Sequence, residues 1–287
     1  MLRPEDDPVE LAVRDHPGGE PALLALHGLA SNARWWDLVA ARLPYRVVAP
    51  DLRGHGLSPK PDTGYGFDPV RADVVALLDR LGLDRVAVAG HSWGATVALE
   101  LASAHPERVS VCVCVDGGVE SLRAHFPTWE RAEAALRPPN LVGVAESALA
   151  GWASGPLAEG SDAATALGLV LGSFEPLDAS ESAGPARRVR PRLRLDRHMA
   201  ILRALYDADP LALLRTMTVP VVAVLAEGAP SAAMDANRAS AATAARTAGG
   251  PWRAVWVQGG HDLPVQRPDA VAAAIGEAIA AAAAGPV

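Results

Sequence analysis

Short unbroken apolar runs alternate along this chain with longer stretches of helical spacing. Residues 9–14 alternate apolar and polar positions, which predicts an edge strand. Residues 22–26 predict a short buried strand ending at His27 and Gly28, and residues 34–43 carry helical spacing. Residues 45–49 predict another strand, closed by Pro50 and Asp51. A helix follows over 68–81, with Gly82 placed to end it. The run 85–89 reads as a strand, 95–104 as a helix and 109–115 as a strand again. Apolar runs without polar alternation belong to strands buried on both faces. Separated by helices, they predict an α/β fold: a mostly parallel sheet of about eight strands, covered by helices on both sides.

Beyond residue 116 this rhythm breaks. From 117 to 209 the pattern is helical, without strong strands, and is punctuated by Pro127, Pro138, Pro139, Pro156, Pro176, Pro185 and Pro191. The strand pattern returns at 219–225 and 253–257, with a helix over 231–247 between them and a terminal helix over 270–284. The middle stretch therefore reads as a helical cap inserted over the carboxyl edge of the sheet, where ligands bind in open α/β sheets. This divides the chain into a core of 1–116 and 210–287 and a cap of 117–209.

Composition narrows the function classes. Half of the 287 residues are apolar, enough for a substantial core, and the formal charge of −7 offers no electrostatic footing for nucleic acid. Residues 1–9 are acidic, without an apolar leader, and Glu277 interrupts the alanine-rich tail, so neither a signal peptide nor a membrane span is expected. Cys112 and Cys114 stand two apart on one strand and one face, a spacing unsuited to a disulfide. Two thiols fit a cytoplasmic location. Lys60 is the single lysine of an arginine-rich chain and reads as coding bias rather than function. Arg187, Arg188, Arg190, Arg192, Arg194 and Arg197 read as a solvated cap surface. The alternative is recognition of an acidic substrate or a phosphorylated carrier arm.

The chemistry concentrates at Gly90, His91, Ser92, Trp93 and Gly94, between a strand and a helix. A Gly-x-Ser-x-Gly stretch in that context lets the chain turn sharply with the serine at the apex, because side chains that would clash are absent. The hydroxyl is lifted clear of the sheet, and the helix amides point at any oxyanion that forms. A serine hydroxyl needs a base. His261, on a glycine-flanked loop after the last strand, is the best placed of eight histidines. His27, His55 and His91 read as packing or loop-ordering residues, and His198 opens a helix in the cap.

Four further segments fall in order around this elbow. They are His27, Gly28, Leu29; Trp36 on the next helix; residues 51–58; and Gly260, His261, Asp262. Together they resemble the α/β-hydrolase superfamily over residues 9–284. The resemblance implies Ser92 as nucleophile, His261 as base, and an oxyanion hole made by the backbone N–H groups of Leu29 and Trp93, whose side chains would line the pocket. His27 and Gly28 are expected beside the substrate; Trp129 and Trp152, in the cap, either hold its helices to the body or contact an apolar substrate.

The acid departs from the usual pattern. Many members carry it after the strand matching 219–225, where this chain has Glu227, Gly228 and Ala229. Others carry it one strand earlier, where this chain has Asp116 followed by two glycines. Asp116 is the first choice, Glu227 the alternative and Asp235 the third; Asp262, adjacent to the histidine, is set aside on geometry. A carboxylate at either strand end can orient His261.

The expected function is a serine hydrolase (EC 3.1) that cleaves an ester, thioester or lactone-type acyl bond through an acyl-enzyme on Ser92. An acyltransferase, a C–C bond hydrolase or an aminopeptidase would keep the same triad, and a non-catalytic receptor would keep the pocket alone. The expected partner is a small acyl substrate; an acyl carrier or a second copy of the chain is left open. The sequence holds no metal motif and no nucleotide fingerprint, so no cofactor is expected. A serine rather than an aspartate at the elbow argues against epoxide or haloalkane chemistry.

Overall fold

A computed structural model describes residues 7–177, 187–228 and 232–285. Its strands among these residues are β1 (Val13–His16), β2 (Gly19–Leu26), β3 (Tyr45–Pro50), β4 (Val86–His91), β5 (Val109–Val115), β6 (Val144–Ala145), β7 (Phe174–Pro176), β8 (Arg188–Pro191), β9 (Val221–Glu227) and β10 (Trp252–Gln258). Seven of them form the main sheet, in the order β1-β3-β2-β4-β5-β9-β10. Only β1 runs antiparallel to its neighbour.

The unbroken apolar runs are explained by burial on both faces. Side chains alternate across a strand. Val86, Val88, Cys112 and Cys114 therefore pack into one core layer, with helices Phe67–Arg80 and Trp93–Ala104. Ala87, Ala89, Val111, Val113 and Val115 pack into the other, with Trp36, Val39 and helix Pro268–Ala284. Cys112 and Cys114 are buried free thiols on the same face, their sulfurs 3.9 Å apart.

The sheet has seven strands, close to the expected eight or so. The edge strand expected at 9–14 starts its ladder only at Val13. The Val9 amide donates to Asp73 Oδ1 at 2.7 Å and the Ala12 amide to Ser58 Oγ at 2.8 Å. Side chains thus satisfy backbone groups that a longer strand would have paired. The helix expected at 34–43 is a 3₁₀ turn, Ala33–Trp36, followed by one α-turn, Asp37–Ala40.

The stretch 117–209 also differs from an all-helical cap. It carries helices Trp129–Leu136, Glu146–Ala153, Ala163–Leu171 and Leu195–Asp207, but also a three-stranded antiparallel sheet, β6-β8-β7. These strands are too short for a period of two to show, and Pro176 and Pro191 stand at strand ends, where a missing N–H is tolerated. Among the described residues no helix is long and apolar enough to cross a membrane.

Candidate active site

β4 delivers Ser92 to the carboxyl edge of the sheet. There the backbone takes φ 54° and ψ −121°, a left-handed strained conformation for a non-glycine residue. The turn closes because its flanks lack side chains. A Cβ on Gly90 would lie 2.1 Å from the Gly94 carbonyl oxygen, and one on Gly94 would lie 2.4 Å from that of Leu26. Ser92 occupies the N-cap position of helix Trp93–Ala104, yet its side chain makes no capping bond. Its hydroxyl is instead 2.9 Å from His261 Nε2.

A second hydrogen bond extends this chain. The His261 Nδ1–H donates to Asp116 Oδ2 at 2.7 Å. Asp116 ends β5 at φ 42°, and its other oxygen accepts from the Ala226 amide at 2.8 Å. Both carboxylate oxygens are thereby engaged, which leaves little freedom to the side chain. Since Nδ1 carries the proton toward the carboxylate, Nε2 presents its lone pair to the serine. Burial opposes a charge on His261, but the hydrogen bond and charge of Asp116, aided by Asp262 and Glu120, outweigh it and hold the ring above its usual range.

Among the described residues no other candidate carboxylate is hydrogen-bonded to the imidazole. Glu227 is held by Arg238 at 2.6 Å and Gln258 at 2.7 Å. Asp235 is exposed on helix Ala232–Thr247. Ala229 lies outside the described residues. Asp262 lines the same cavity as His261, where burial raises its carboxyl above the ordinary range.

Two buried histidines brace the loop beside the serine. His27 Nδ1–H donates to Gly28 O at 2.8 Å, while its Nε2 accepts from the Leu52 amide at 3.0 Å. His55 Nδ1–H donates to Arg53 O at 3.0 Å, and its Nε2 accepts from the Ala30 amide at 3.2 Å. Burial pushes both rings below the usual histidine range, so both act as neutral rings with fixed tautomers. Arg53 anchors their loop from below through two 2.6 Å bonds to Asp73, a fully buried pair. A side chain on Gly28 would meet the Ser92 Cβ at 3.2 Å, so the Leu29 segment lies directly against the serine. Trp93 opens its helix, so its amide lacks an intrahelical partner.

The third histidine, His91, ties the elbow to the His261 loop: its Nε2–H donates to the His261 carbonyl at 2.8 Å. Burial, with the neighbouring His261 charge, lowers its pKa to about 3.

A cavity of about 760 Å³ opens over Ser92 and His261. Gly28, Leu29 and Trp152 line it. His27 does not: it is fully buried beneath the loop. Trp93 is also core, with its ring stacked on His55 at 5.4 Å between centroids, because the first turn of its helix faces the sheet. Trp129 packs edge-on against Tyr206 and carries Arg203 over its ring, outside the cavity wall. Lining residues to which the sequence reading gives no place in the pocket include Trp35, Leu141, Val142, Phe174, Glu175 and Lys60. For Lys60 the one signal in the sequence is its isolation in an arginine-rich chain.

The sheet order, the serine at the strand-to-helix turn and the hydrogen-bonded histidine define an α/β-hydrolase architecture. A family model for the alpha/beta hydrolase fold matches residues 21–183, and the chain belongs to this family. Among curated proteins it is similar to a lipase, LipV, of Mycobacterium tuberculosis, 39% identical over 104 residues, covering 36% of this chain and 40% of that one. It is also similar to 2-(acetamidomethylene)succinate hydrolase of Mesorhizobium japonicum, 36% identical over 110 residues, 38% of this chain and 39% of that one. The chain thus spans about two fifths of the length of the curated relatives it matches. The solved structure of E-2-(acetamidomethylene)succinate hydrolase superposes with a TM-score of 0.73 at 25% identity, covering 94% of this chain and 95% of that one.

Proposed function

We propose that the protein is a serine hydrolase of acyl compounds, with Ser92 as nucleophile, His261 as general base and Asp116 as the acid that orients it. The observation that carries this reading is the continuous chain from Ser92 Oγ to His261 at 2.9 Å and from His261 to Asp116 at 2.7 Å. In this mechanism Ser92 Oγ attacks the acyl carbonyl and its proton passes to His261 Nε2. The resulting imidazolium is stabilised by Asp116. The Leu29 and Trp93 amides receive the oxyanion, each such donor contributing about 3 kcal/mol to barrier lowering in enzymes where one has been removed. His261 then protonates the leaving group and activates water to release the acyl-enzyme.

The stretch 117–209 acts as a mixed helical and stranded cap that supplies part of the cavity wall. The lipase name of one relative supports an ester bond, and the hydrolase name of another supports hydrolysis more broadly. The two buried thiols support a reducing compartment such as the cytoplasm.

A fluorophosphonate probe is expected to label Ser92, read by mass spectrometry of the labelled peptide, and to leave Ser92→Ala unlabelled. No labelling of the folded wild-type chain would reassign the pocket to a receptor. The pH profile gives a second measurement. Only the neutral imidazole can accept the serine proton, and Asp116 holds the ring above its usual range. kcat/KM is therefore expected to fall on acidification through an inflection above about pH 6.5. Asp116→Asn should move that inflection downward. An unshifted inflection in the variant would detach the carboxylate from the histidine.

A further inference from the structure

The cavity has a wall that the acyl chemistry does not use. It comes from the loop 56–60 below the cap and from β7, β8 and the residues after them. Among the described residues, the cations Lys60, Arg190 and Arg192 face the cavity there, with the carboxylate of Glu175 among them. Arg190 Nε is 2.9 Å from Glu175 Oε1, and Arg192 Nη1 is 3.5 Å from Oε2. Arg194, the next cation along, is paired with Asp196 at 3.4 Å. Lys60 and Arg192 bring two positive charges to this wall beside the shared Glu175, in a chain whose net charge is −7.

Two details mark where an anion would sit. Lys60 Nζ donates to the carbonyl oxygens of Gly56 at 2.9 Å and Ser58 at 3.0 Å. These bonds aim the ammonium and leave one of its three hydrogens uncommitted. Among the described residues no carboxylate pairs with it. Arg192 Nε is buried and has no hydrogen-bond partner among the described residues. That atom is shut off from the cavity, so an anion there would meet the Nη groups of the guanidinium, whose contact with Glu175, from Nη1, is a long 3.5 Å. Burial, with the charge of Arg192 and of Arg197, pushes the Lys60 ammonium below its ordinary range, a repulsion that a bound anion would relieve. Leu141, Val142, Trp152 and Phe174 complete the lining with apolar surface.

We propose that Lys60 and Arg192 form a subsite for an anionic oxygen group, so that the substrate combines an apolar body, a scissile acyl bond at Ser92 and a second, charged end. This rests on the hydrolase reading for the identity of the scissile bond, though not for the binding of the anion. The anion can be a carboxylate of the substrate itself or a phosphate of a carrier arm or coenzyme A, and both offer the same oxygen chemistry.

The test compares two matched pairs. p-Nitrophenyl hydrogen adipate is set against its neutral methyl ester, and hexanoyl-coenzyme A against the hexanoyl thioester of N-acetylcysteamine. The charged member of one pair is expected to have a kcat/KM at least about tenfold higher, the scale of one charge-assisted hydrogen bond. Which pair shows the preference identifies the source of the anion. The ratio should fall as NaCl rises from about 50 mM to about 500 mM. It should collapse to within about twofold of unity in Lys60→Met and in Arg192→Gln. It should largely persist in Lys60→Arg and in Arg203→Gln, which alters an exposed cation on the outer face of the cap.

Hydrolysis with no preference in either pair overturns the subsite, as does a preference that survives in Lys60→Met and Arg192→Gln. If no ester or thioester is hydrolysed, calorimetric titration with adipate and with coenzyme A decides. Binding that requires Lys60 keeps the subsite while the hydrolase reading falls; no binding to the wild-type chain removes both.

Discussion

Ser92→Ala is expected to lower turnover on an activated ester by about 10⁴-fold or more while leaving the fold intact. The structure shows why the two effects separate. The hydroxyl makes no capping bond to its helix, so its removal leaves no helix amide newly unpaired. Alanine also keeps the Cβ that already tolerates φ 54°, so the elbow gains no new strain. What is lost is the attacking oxygen and its 2.9 Å bond to His261. Because the two residues act as a unit, Ser92→Ala combined with His261→Ala should cost little more than either change alone. Steady-state kinetics and thermal melts of the three variants check this. Turnover retained in Ser92→Ala, or losses that add, would place the nucleophile elsewhere.

Asp116→Asn is expected to lower turnover by about three to four orders of magnitude with little change in melting temperature. Asparagine matches the shape of aspartate and accepts the left-handed backbone that φ 42° demands. Its carboxamide oxygen can keep the bond to the Ala226 amide. The amide nitrogen then faces His261 Nδ1 and donates to it, which forces the ring proton onto Nε2. In that tautomer the imidazole cannot accept the serine proton. Glu227→Gln should cost less than about tenfold, since Glu227 is committed to Arg238 and Gln258 rather than to the imidazole. The two variants are measured side by side for kcat/KM; a reversed ranking would move the acid to Glu227.

The order of strands and helices was legible because its signals are local. β5 was legible to the residue: from Val109 to Val115 every residue but the half-buried Ser110 is apolar and buried, and its bounds coincide with the pattern. The elbow was legible for the same reason, since the glycines that permit it lie within two residues of the serine. Legibility failed where backbone groups are satisfied from far away. Val9 and Ala12 look like a strand, yet Asp73 and Ser58 take their amides. The small sheet β6-β8-β7 was missed because each strand is shorter than the window in which a period can be seen. Trp93 and His27 were expected in the pocket because they flank it in sequence, but adjacent side chains on a strand end and a helix start point in different directions.

What the sequence by itself determined is the set of local devices: the α/β rhythm, the serine at a strand-to-helix turn, the histidine after the last strand, and a short choice of carboxylates. Tertiary structure alone decided which carboxylate meets the histidine. Asp116 and His261 stand 145 residues apart, and their bond depends on two neighbouring strand ends and loops converging in space. Tertiary structure also decided the meaning of Lys60. As a letter in the chain it is a compositional oddity, and its meaning changes only when the cap folds over it and brings Arg192 to the same wall. Periodicity and turn chemistry are set by covalent neighbours, and so can be read along the chain. Electrostatic company is set by packing between distant segments, and so cannot.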